Sequence, residues 1–70
     1  MRPDWPVVVR QVIAATNCTT EQLAEHIGCH KNCIDQWQRG EKRPCFENGW
    51  ELLNAYVANV SRKIPQRVGA

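Results

Sequence analysis

The chain has no apolar run long enough to span a bilayer, and its first residues lack the continuous apolar segment of a secretory leader. A cytoplasmic location with no membrane partner is expected. It also lacks a Gly-rich phosphate loop and a nucleophile elbow with Ser, His and Asp in order, and its Cys–His neighbours have no third group to orient them. Catalysis is not expected. With 70 residues the chain makes one domain, which buries only about 60% of the surface that its unfolded form exposes. That leaves little room for an enclosed active site. Internal repeats and low-complexity segments are absent, and no acidic side chain follows Glu51. Nine Lys and Arg against seven Asp and Glu give a net charge of +2, so this is no polycation and the distribution of charge matters more than its total. Over residues 39–43, Arg39, Lys42 and Arg43 oppose only Glu41, and Arg62, Lys63 and Arg67 are unopposed further on.

The most informative segment is residues 19–45, TTEQLAEHIGCHKNCIDQWQRGEKRPC. It reads as two short helices, a tight turn and a basic loop, the layout of a DNA-reading helix-turn-helix. Thr19 suits an N-cap, with Gln22 three residues on as the reciprocal partner of a capping box. Leu23, Ala24 and Ile27 share an apolar face, and Gly28 supplies the positive φ that ends a helix. In the next helix, about His30 to Arg39, Lys31, Asn32, Asp35, Gln36 and Arg39 fall within an arc of about 140°, with Cys33, Ile34 and Trp37 opposite. The polar arc carries groups that hydrogen-bond base edges and phosphates. On an isolated helix such a face would be ordinary solvated surface. The preceding helix, the Gly28 turn and the RGEKRP loop favour DNA.

In LAEHIG followed by IDQWQRGEKRP, the chain resembles the Cro/cI-type helix-turn-helix family of phage and bacterial transcriptional regulators, over roughly residues 7 to 57. The resemblance implies an all-α, lambda-repressor-like bundle of four to five short helices whose third helix enters the major groove, usually as a homodimer on a two-fold symmetric double-stranded operator. It puts base reading on Lys31, Asn32 and Gln36, with Cys33 also near the bases. It puts backbone contacts on Thr20, Arg39, Gly40, Lys42 and Arg43. Three positions depart from the family pattern. Gln38 replaces a common Glu and Ile13 its Arg partner, so both members of that pair are absent together. Glu41 and Asp35 place carboxylates near phosphate, and Asp35 is four residues from both Lys31 and Arg39, a spacing that allows an intrahelical pair. Failing that pair, Asp35 could accept from a cytosine. These two carboxylates keep open a different class of function, a helix-turn-helix-fold module that binds a protein and regulates another DNA-binding protein.

The flanks read as scaffold. Asp4 and Pro6 suit a helix start. The β-branched run Val7, Val8, Val9, Val12 and Ile13 could be a strand by propensity, but Val9, Val12 and Ile13 are spaced as on a helix. After Pro44, the positions Phe46, Trp50, Leu53 and Val57 form a helical stripe. Gly49 weakens that helix by about 1 kcal/mol relative to Ala. Leu52, Tyr56 and Val60 add apolar surface that either completes the core or forms a dimer face, for which Leu52 and Tyr56 are the residues to test. Trp5, Trp37 and Trp50 are expected in the core. Residues 1–60 are taken as the domain, and 61–70 as a basic, extended or flexible tail. His26, Cys29, His30 and Cys33 would offer a zinc site on one continuous helix. A break at Gly28 makes them free thiols and unrelated imidazoles, so no metal or cofactor is expected. Cys18, Cys29 and Cys33 then serve as small apolar residues and Cys45 as a helix N-cap.

Overall fold

The computed structural model describes residues 3–66 and contains four helices, with no strand among them beyond one isolated bridge between Pro3 and Gln66. Helix α1 spans Trp5–Thr16, α2 Thr20–Ile27, α3 Lys31–Arg39 and α4 Phe46–Asn59.

Burial periodicity overrides β-propensity in α1, where Val8, Val9 and Val12 are buried at the spacing of one helical face. Pro6 lies in its first turn, where a missing N–H costs nothing. Asn17 ends α1 with φ 54°, a left-handed conformation that Asn tolerates better than most side chains. In α2 the capping box is complete. The Gln22 N–H donates to Thr19 Oγ1 at 3.1 Å and the Thr19 N–H to Gln22 Oε1 at 2.9 Å. Gly28, at φ 90°, closes the helix by donating to the Ala24 carbonyl at 2.8 Å. The α3 helix follows after residues 28–30, and the His30 Nδ1 caps it by accepting from the Asn32 N–H at 3.2 Å.

Helix α1 packs on both α3 and α4, α2 packs on α3, and a lighter α2–α4 contact closes the bundle. The core between them is Val8, Val9, Val12, Leu23, Ala24, Ile27, Ile34, Trp37, Leu52 and Tyr56. Removing a large aliphatic side chain from such a core costs about 2–5 kcal/mol. The Tyr56 hydroxyl leaves the core at its edge and donates to Gln11 Oε1 at 2.7 Å, tying α4 to α1.

In α4 one open alternative is settled and one expectation corrected. Leu52 and Tyr56 are core residues with 0% and 3% exposure, so neither can form a dimer face, while Trp50 is 60% exposed and not core. The physical reason is the packing of α4 on α1, to which Gly49 contributes. It is buried in line with Leu52 and Tyr56, and a Cβ there would lie 3.2 Å from the ring tip of Trp5. That side of α4 therefore faces α1, and Phe46, Trp50, Val57 and the C-cap residue Val60 are left toward solvent.

Of the tail expected to be extended or flexible, residues 61–66 are described. Ile64 packs against the core, and the Asp4 N–H at the start of α1 donates to the Pro65 carbonyl at 2.8 Å. A helix start offers donors without intrahelical partners, and here an extended chain satisfies one. Residues 67–70, with Arg67, lie outside the described residues.

Candidate nucleic-acid interface

Ile34 and Trp37 anchor α3 inward, with 0% and 3% exposure, and that anchoring determines which side chains remain outside. Lys31, Asn32 and Arg39 are exposed; Asp35 and Gln36 are half-buried on the same arc. Gly40 ends α3 in a left-handed turn of φ 74°, and from there Glu41, Lys42 and Arg43 run along the surface, all exposed. Of the expected base-reading and loop residues, Lys31, Asn32, Arg39, Gly40, Lys42 and Arg43 are exposed and Gln36 is half-buried, with two others less accessible or placed elsewhere. Thr20, at the first position of α2, is half-buried, and Cys33 packs against the core at the edge of the polar arc.

The ion pairs differ from the expected ones. Lys31 Nζ is 3.5 Å from Glu21 Oε1 across the turn, and Arg39 Nε is 3.3 Å from Glu41 Oε2 just past the helix end. Among the described residues Asp35 pairs with neither Lys31 nor Arg39. Helical spacing permits an i,i+4 pair, but the cations at both ends of α3 reach carboxylates off the helix instead. These solvent-exposed pairs are each worth about 0–1 kcal/mol. They cost a polyanion little to displace.

The four cysteines are free thiols. Burial pushes the Cys29 thiol above its ordinary value, and the nearby Cys33 and Cys45 push it the same way. Cys29 and Cys33 are half-buried and pack against the core, while Cys45 is exposed. His26 and His30 do not join them: His30 caps α3, and His26 lines a groove against α4. Among the described residues no group of three His, Cys, Asp or Glu side chains is placed to hold a metal ion. None of the described helices is long and apolar enough to cross a membrane.

Sequence reasoning missed two features. His30 as an N-cap left only a positional signal, since histidine is not a preferred capping residue. The outward pair Phe46 and Trp50, with ring centroids 6.5 Å apart and nearly parallel at 17°, left none, because periodicity finds a stripe and does not say which way it faces.

No family model matches the chain, and neither a search of curated proteins nor one of solved structures finds a match.

Proposed function

We propose that this chain is a small sequence-specific double-stranded DNA-binding regulator of the Cro/cI helix-turn-helix type, with α3 as the helix that enters the major groove. One observation carries the reading. Lys31, Asn32 and Arg39 of α3 and the whole of the following loop 40–43 are exposed, while the opposite face of the same helix is held in the core by Ile34 and Trp37. A helix held on one side and open on the other presents Lys31, Asn32 and Gln36 in fixed register to base edges, and Arg39, Lys42 and Arg43 to phosphates.

Each role has a different signature. Selection from random duplex DNA at low and moderate salt should yield a defined site. Gln36→Ala should cost about 1–3 kcal/mol there and relax preference at one position. Arg43→Ala should weaken all sequences alike and lower the salt slope by about one. No enrichment at either salt would remove the DNA reading and leave a helix-turn-helix-fold module that binds a protein. The exposed Phe46 and Trp50 are the observation that favours that second reading.

A further inference from the structure

All four large apolar side chains that are substantially exposed among the described residues lie along α4 or at its end: Phe46, Trp50 and Val57 form one stripe of the helix, and Val60 is its C-cap residue. The stripe has two unlike halves. Its C-terminal half is aliphatic, and no acidic residue follows Glu51. Its N-terminal half pairs Phe46, 84% exposed, with Trp50 and borders a groove of about 570 Å³ between α4 and the C-terminal end of α2. The groove lining includes His26, Phe46, Trp50, Glu47 and Glu51. Among the described residues the only ion pairs are those of Lys31 with Glu21 and Arg39 with Glu41, so Glu47 and Glu51 have no cationic partner there.

An aromatic strip flanked by two unpaired carboxylates selects its occupant by charge. DNA is disfavoured, because both carboxylates would face phosphate. A second copy seated here about a two-fold axis would oppose Glu47 and Glu51 to their own copies, and like charges across an interface select against that pairing. A cationic side chain gains twice: its charge meets Glu47 and Glu51, and a guanidinium or ammonium over an indole or phenyl face is drawn to the ring quadrupole. We infer that the groove between α2 and α4 docks a short basic segment of another protein, in which an Arg or Lys lies over Trp50 and Phe46 beside an apolar neighbour. This surface is separate from α3, so it is tested independently of DNA binding.

The test is a titration of the isotope-labelled full chain, followed by amide and indole resonances, with two blocked peptides. One alternates leucine with arginine and the other leucine with glutamate, each taken to about millimolar concentration. The arginine peptide should shift the Trp50 indole N–H saturably, and more weakly as salt rises. Trp50→Ala should weaken binding about tenfold, and Glu47→Gln with Glu51→Gln about fivefold. All three side chains are exposed, so circular dichroism should stay unchanged. Equal binding of both peptides, no shift with either, or self-association that buries Trp50 would each overturn the proposal.

Discussion

Gly49 contributes to the fold by what it leaves out, because a Cβ at that position would meet Trp5 Cη2 at 3.2 Å and Pro44 Cγ at 3.7 Å. Two opposing effects act on Gly49→Ala. Alanine gains about 1 kcal/mol of helix propensity, and the tight contact asks Trp5 to move by a few tenths of an ångström. Trp5 is half-buried and the contacting atom is the far end of its ring, so it can tilt outward. Gly49→Ala should therefore change stability by less than about 1 kcal/mol. Gly49→Leu, whose larger side chain would overpack the space against Trp5 and Pro44, should lower it by about 1–3 kcal/mol in chemical denaturation. A Gly49→Leu protein as stable as wild type would remove the argument that this contact contributes to the packing of α4 on α1. Cys29 gives a second test at the same scale. Its thiol is raised by burial and by Cys33 and Cys45, so the fold favours the neutral form. That preference is fully present below the ordinary thiol value and is lost as pH rises from there through the raised value of the folded state. Stability should fall on going from neutral pH to above that raised value, and Cys29→Val should flatten the fall. Alkylation near pH 8 should label exposed Cys45 before Cys29. The reverse order, read by mass spectrometry, would contradict the half-buried placement of Cys29.

At the scale of whole elements, the α2–α3 unit was legible because its signals are local. A Thr and a Gln three apart make a box, a glycine takes positive φ, and Ile34 and Trp37 repeat on one face; none of these needs a distant residue. The face of α4 was not legible. Its apolar positions cover more than one side, and the choice between them rests on packing against α1, to which a glycine that hydrophobic periodicity counts as a gap contributes. The ion pairs of α3 were hidden for a related reason, since Glu21 and Glu41 reach it from outside the helix whose spacing suggested Asp35. Those pairs make a prediction on the proposed interface. Lys31 and Arg39 are each held by a carboxylate, at 3.5 and 3.3 Å, and a phosphate that takes either cation must displace that cation's own carboxylate. Glu21→Gln with Glu41→Gln should leave stability within about 1 kcal/mol. It should raise affinity for duplexes of any sequence and steepen the salt dependence by about one for each cation freed. Unchanged affinity in a salt-dependent filter-binding series would mean that these cations do not meet phosphate.

For the molecule as a whole, the issue is whether one copy suffices. A recognition helix reaches only a few base pairs, and a net charge of +2 leaves one subunit few counterions to release, so a single copy should bind specifically but weakly. Two copies related by a two-fold axis would place their α3 helices about 34–36 Å apart on one face of the duplex and double the contacts. With Leu52 and Tyr56 in the core, the proposed pairing would draw on what α4 still exposes or on the segment after it. Phe46 and Trp50 are flanked by Glu47 and Glu51, which disfavour a two-fold contact. Val57 and the C-cap residue Val60, 43% and 37% exposed, lie beyond the last carboxylate of α4. Two valines per subunit bury too little to hold a dimer in free solution, and the operator would have to supply the rest by aligning both copies. The protein should therefore sediment as a monomer alone and as two copies on a selected inverted-repeat duplex with half-sites about one turn apart. Val57→Gln with Val60→Gln should preserve the fold, since both side chains are exposed, and should reduce the second copy's binding while leaving the first unchanged. A strict one-to-one complex of the wild type on a site without two-fold symmetry would eliminate the paired arrangement. If the double variant kept full occupancy, pairing would lie on another surface.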